Sequence, residues 1–209
     1  MVIARPLKVW CGFLAVTLVG VMICICWLDI PVARAFLVNA NHVSGLGAVF
    51  GSAVLVAAEM VLIAGLALTR IVRGSLPEFA KALFIACSTS LSAFVVNDHV
   101  LKLIFGRQNP SVLLQGDPNQ VFNFFQGNQQ SSFPSGHMVM ATAFAIAMVR
   151  LQPRTLPILA VLLCVGAIAL VVGDWHFIGD VIAGAFVGGT AGFVAGELWM
   201  EHVQRHGIM

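Results

Sequence analysis

Charge is what this chain has least of. Of its 209 residues only 10% are Asp, Glu, Lys or Arg, against roughly 25% in ordinary soluble domains, while 59% are hydrophobic. So few charged groups cannot cover a water-exposed surface, which excludes a soluble fold. Basic residues are scarce as well. A net charge of +2, with eleven Lys and Arg scattered along the chain, builds no basic face, and nucleic acid is excluded as a partner. The five cysteines, Cys11, Cys24, Cys26, Cys87 and Cys164, lie in apolar stretches without CxxC or zinc spacing, and read as small core residues. There is no carboxylate cluster to hold a metal, and no cofactor is implied.

What is present is apolar continuity. The mean hydropathy is +0.96, and at about 20 residues per crossing the chain holds about six membrane spans and one sizeable loop. The spans are expected near Val9–Leu28, Ala48–Leu68, Phe79–Val100, Gly136–Leu151, Leu156–Val172 and Ile178–Met200, bounded by Pro and charge. The expected fold is all-α, a six-transmembrane helix bundle, with residues 1–209 forming a single integral-membrane domain. Within it, residues 1–47 make the first span and an interfacial segment, and 48–209 a core with an outer loop over 106–134.

An even number of spans puts both termini on one side. Arg5, Lys8, Arg70, Arg73, Lys81, Arg150, Arg154 and Arg205 then share a face, leaving Arg34, Lys102 and Arg107 on the other. The positive-inside rule makes the larger set cytoplasmic, so the termini are expected in the cytoplasm and the outer loop on the periplasmic face of a bacterial inner membrane. Pro31–Gly47, of mixed polarity, is expected to lie along the outer interface as a short helix. The loop is rich in Gln and Asn, and its Phe122, Phe124, Phe125 and Phe133 can seat it at headgroup level.

Three remote stretches reach the same outer surface under this topology: Lys102 through Arg107 to Pro110, Pro134-Ser135-Gly136-His137, and His176-x3-Asp180. Ser135 is a natural N-cap for the fourth span, whose first backbone N–H groups then point outward, and Gly136 permits close approach of an anion. His176 and Asp180 are one helical turn apart, so the carboxylate can hold the imidazole and leave its second nitrogen free as nucleophile or base. Asp98 lies one turn before Lys102, placed to orient its ammonium. Asp180 also begins a stripe of Gly184, Gly188, Gly192 and Gly196 that lets a neighbouring helix approach closely, or forms a homodimer seam. Asp174 is expected at the water interface, where its charge would oppose phosphate binding if it faced the site.

These motifs resemble the type 2 phosphatidic acid phosphatase (PAP2) superfamily, integral-membrane lipid phosphatases related to vanadium haloperoxidases. The resemblance runs from about Glu59 to Gly196. The family pattern has a Lys followed by Arg-Pro, a Pro-Ser-Gly-His, and a Ser-Arg followed by His-x3-Asp. Two arginines are missing here: Asn109 stands seven residues after Lys102, and Ala169-Leu170 precede His176 where Ser-Arg is expected. Arg107 can substitute for one.

The resemblance implies a metal-independent phosphatase acting on a lipid phosphate. His176 would attack phosphorus and form a phosphohistidine, Asp180 would orient it, and His137 would protonate the leaving alkoxide. Lys102, Arg107, Ser135 and Gly136 would hold the phosphate oxygens, with Asp98 and Asn109 in support. Two other readings stand beside this one. A catalytically impaired member would bind lipid phosphate or act as a scaffold, and a transporter would use Glu59, Asp98 and Asp180 as ion sites.

Overall fold

The computed structural model describes residues 4–37, 51–116 and 121–206, and all regular structure among them is helical. Helix α1 (Ala4–Ile23) continues through a π turn (Cys24–Leu28) into α2 (Asp29–Leu37). The wide turn lies directly before Pro31, which has no N–H for Trp27 and whose ring crowds that turn. The chain therefore does not leave the first helix at Pro31 as expected. The helix runs to Leu37, and the rest of the expected interfacial segment lies outside the described residues.

Helix α3 spans Ser52–Arg73 and α4 Glu78–Val96, the latter continued by a second π turn (Asn97–Leu101) and the short α5 (Lys102–Phe105). After α6 (Pro110–Gln115) and the outer loop come α7 (Gly136–Leu151), α8 (Leu156–Val172) and α9 (Ile178–His206). Among the described residues, five helical segments are long and apolar enough to cross a membrane, and the sixth expected span, α7, is apolar but only 16 residues long. The expected count of six is therefore met only approximately, by five spanning segments and one shorter apolar helix among the described residues.

Helix α7 is short because it is interior. It packs between α4 and α9, with α1 against α9 and α3 against α4. Its buried face is built from small and unbranched residues, Gly136, Met138, Met140, Ala143, Ala145, Ala147 and Met148 among them. The outer helices are the reverse: α3 buries no residue, and Val61, Ile71, Ile158 and Ile168 are exposed, as hydrocarbon-facing side chains must be. The chain is an integral membrane protein.

The glycine stripe of α9 faces α7 within the chain. Gly184, Gly188, Gly192 and Gly196 are all buried, and a Cβ at Gly188 would collide with the Val139 carbonyl and the Thr142 hydroxyl. That contact is backbone against backbone, which only glycine permits. Gly188→Leu is therefore expected to cost at least the ~1–3 kcal/mol typical of overpacking, read as a lowered unfolding temperature in detergent. Unchanged stability would contradict the close approach.

Candidate active site

Three chain ends meet at one end of the bundle. The first is α5, which stops at Gly106 in the left-handed conformation (φ +59°). A side chain there would strike the Asn123 carbonyl of the returning loop. The loop is not loose, because Phe125 N–H donates to the Ile104 carbonyl (2.7 Å) and Ser132 N–H to the Arg107 carbonyl (2.6 Å). Phe122 and Phe133 pack on Phe105, with the Phe105 and Phe133 ring centroids 4.9 Å apart, while Phe125 remains 81% exposed. The second end is the start of α7, capped by Ser135, whose Oγ accepts from Met138 N–H at 3.4 Å. The third is the turn from α8 into α9, carrying Asp174, Trp175 and His176.

A cavity of about 270 Å³ opens between them, with Lys102, Asn109, Ser132, Gly136, His137, Asp174 and His176 in its wall. The rings of His137 and His176 meet edge to face, with centroids 5.7 Å apart and planes at 68°. Lys102 is buried, held by Asp98 Oδ1 at 2.6 Å and donating to the Gln129 carbonyl at 2.9 Å. A Cβ at Gly136 would lie 3.6 Å from its Nζ, so the ammonium sits over the helix start. The cationic and helix-dipole fields therefore act on one spot.

Behind His176 lies a fully buried polar network. Asp180 accepts from Arg107 Nη1 at 2.6 Å, from Phe177 N–H at 3.0 Å and, more closely still, from the Ser132 hydroxyl. Its Oδ2 is 3.8 Å from His176 Nδ1, too far for a direct hydrogen bond, and Ser132 Oγ fills the gap at 3.4 Å. The hydroxyl has one proton, given to Asp180, so towards His176 it is an acceptor. This sets Nδ1 as the protonated nitrogen. Arg107 Nη2 binds Asp29 Oδ2 at 2.8 Å, and Asp29 Oδ1 accepts from Gly179 N–H at 3.0 Å. The guanidinium also lies 4.0 Å from the Phe177 ring centroid, a stacking contact that lysine cannot reproduce.

Two expected phosphate ligands are not in the cavity wall. Arg107 is 1% exposed with both terminal nitrogens occupied by carboxylates, so it serves Asp180 and Asp29 instead of an incoming anion. Ser135 is fully buried, its N–H donated to the Asp180 carbonyl (3.1 Å) and its hydroxyl used as the cap. Asn109 lines the cavity but caps α6, its Oδ1 accepting from Val112 N–H at 3.0 Å and from Ser111. Asp174, expected at the water interface, is buried in the wall instead.

The sequence reading missed Ser132 and Asp29. Ser132 lies just before the Pro134-Ser135-Gly136-His137 motif, and only the folded loop shows its hydroxyl reaching α9. Asp29 was visible as a carboxylate ending an apolar run, the kind of intramembrane ionisable group that needs a partner.

The network predicts an order of stabilities. Arg107→Leu leaves two carboxylates buried without a cation, and should cost more than the ~3–5 kcal/mol of one broken buried pair. Asp29→Asn keeps a hydrogen-bonding group and one ion pair, and should cost less. Thermal unfolding in detergent checks the order, and equal or inverted losses would contradict the bridging role.

No curated protein matches the chain. The fold is similar to the crystal structure of a transmembrane PAP2-type phosphatidylglycerolphosphate phosphatase from Bacillus subtilis, with a TM-score of 0.57 and 19% identity over 95% of this chain and 97% of that one. The family model described as the PAP2 superfamily matches residues 81–202, more than half of the chain and every residue of the cavity wall named above. The chain belongs to the PAP2 superfamily.

Proposed function

We propose that this protein is a membrane lipid phosphatase that hydrolyses a phosphomonoester or diphosphate of a lipid through a phosphohistidine, without a metal. The observation that carries the reading is the pair of imidazoles, edge to face with centroids 5.7 Å apart, in the wall of a cavity that Lys102 and the start of α7 also line. In-line phosphoryl transfer needs a nucleophile on one side of phosphorus, an acid on the other, and donors around the equatorial oxygens.

His176, protonated at Nδ1 by its contact with Ser132, presents Nε2 to phosphorus. As the N–P bond forms, the bond to the lipid oxygen breaks, and protonated His137 gives its proton to that oxygen. His137, now neutral, takes a proton from water as the water oxygen attacks phosphorus. The N–P bond breaks, phosphate leaves, and His176 Nε2 recovers its lone pair. Asp180 acts through Ser132 as a positioning residue, while Lys102 and the Gly136 backbone hold phosphate oxygens. Arg107 steadies Asp180 in this scheme and does not contact the substrate.

The face follows from charge. Arg70 and Arg73 end α3, Arg150 ends α7 and Arg205 ends α9, all at the helix ends away from the cavity, which supports cytoplasmic termini and an outward-facing site. The substrate then has its headgroup in the outer leaflet of the inner membrane.

His176→Ala should abolish phosphate release from lipid phosphates by the purified protein. Equal release by variant and wild type would end the catalytic reading and favour a binding or scaffold role. Turnover should survive EDTA, fall with vanadate, and follow a bell in pH, because one histidine must be neutral and the other protonated. A strict magnesium requirement or a flat profile contradicts the scheme. Ser132→Ala should lower kcat on the order of tenfold with KM little changed, as loss of one orienting hydrogen bond implies; an unchanged kcat would remove Ser132 from the mechanism.

A further inference from the structure

Among the described residues, Asp174 is the only acidic residue lining the cavity, and its two carboxylate oxygens are shielded from water. It sits in the left-handed conformation (φ +58°), its N–H closing the turn on the Val171 carbonyl at 3.1 Å. It is 4% exposed, and neither carboxylate oxygen has a hydrogen-bond partner among the described residues. A buried anion without a donor is costly, and every nearby cation is already engaged. Lys102 on α5 is neutralised by Asp98 of the preceding π turn, and Arg107 is shared by Asp29 on α2 and Asp180 on α9. The remaining titratable groups facing the cavity are His137 on α7 and His176, two residues beyond Asp174.

Summed over Lys102, Asp98, Arg107, Asp29 and Asp180, two positive and three negative charges surround the site before Asp174 or any imidazolium is counted. An ionised Asp174 would add a further negative charge at the cavity wall and oppose the phosphate that Lys102 and the α7 N-terminus attract. A neutral carboxylic acid does the opposite, because it has an O–H to give. We propose that Asp174 is a phosphate-binding residue that works in its neutral form, donating its proton in a hydrogen bond to a phosphoryl oxygen where this chain lacks the arginines of its relatives. Binding of the phosphoryl group therefore holds a proton on Asp174, and affinity depends on pH at that side chain. This deepens the phosphatase reading and rests on it.

The direction of the pH effect follows from burial, which pushes the Asp174 carboxyl up to about 6. In the free protein it is neutral below that pH and ionises above it, so phosphate affinity is full on the acid side and lost as pH rises. Asp174→Asn cannot ionise and keeps an N–H donor. Asp174→Ala has neither charge nor donor.

The experiment is inhibition of lipid-phosphate hydrolysis by orthovanadate and by inorganic phosphate, with purified wild type, Asp174→Asn and Asp174→Ala, between about pH 5 and pH 8. Ionisation of the inhibitor and of the histidines is common to all three proteins and cancels in the ratios. The ratio of wild-type to Asp174→Asn inhibition constants should rise tenfold or more on going from about pH 6 to pH 8. At the acid end Asp174→Ala should bind on the order of tenfold more weakly than wild type. A ratio that stays flat with pH overturns the proposal while leaving the phosphatase reading standing. Absence of both hydrolysis and vanadate binding in the wild type overturns that reading itself. Independently of any variant, the infrared difference spectrum of wild type on adding vanadate near pH 7 should gain the carbonyl stretch of a protonated carboxyl; its absence also counts against the proposal.

Discussion

One guanidinium shared by two carboxylates holds the reactive end of this protein together. Arg107 follows α5, Asp29 opens α2 and Asp180 lies in the first turn of α9, so the bridge ties three parts of the chain that are distant in sequence. All three groups are shielded from water. In such surroundings each needs the others, and removing one leaves an uncompensated buried charge. The arrangement also determines where Asp180 points. With Oδ1 on Arg107 and Oδ2 accepting from Phe177 N–H, the carboxylate reaches His176 only through the Ser132 hydroxyl.

The bridge changes what the few cations of the chain are for. A cation just after a helix end, beside a phosphate motif, reads naturally as a phosphate ligand. Here it lies one layer behind the cavity wall, where both terminal nitrogens are paired with carboxylates. Lys102 and the α7 N-terminus are left to supply positive potential at the cavity itself, and Lys102 shares its charge with Asp98.

Among the described residues, α7 is the shortest of the long apolar helical segments. At about 1.5 Å per residue, the 16 residues of α7 span about 24 Å, less than a hydrocarbon core of about 30 Å. A helix of that length is stable only when its ends meet protein. Its N-terminus meets Lys102 and the outer loop, and its flank meets the glycine stripe of α9, where the backbones touch.

The apolar runs and the local motifs were sufficient to specify a helical membrane bundle with its motif residues gathered at one end, because span length, helix capping and one-turn spacing are properties of contiguous residues. The pairing of Lys102 with Asp98 and the capping by Ser135 were legible for the same reason. The partners of Arg107, the relay through Ser132, the continuation of the first helix past Pro31 and the burial of Asp174 were not, since each depends on which distant segment packs against which. A sequence shows that a charged residue lies near a membrane surface. Only the tertiary structure decides whether its charge faces the substrate or another buried charge, because in a medium that cannot solvate ions the nearest counter-charge determines the role.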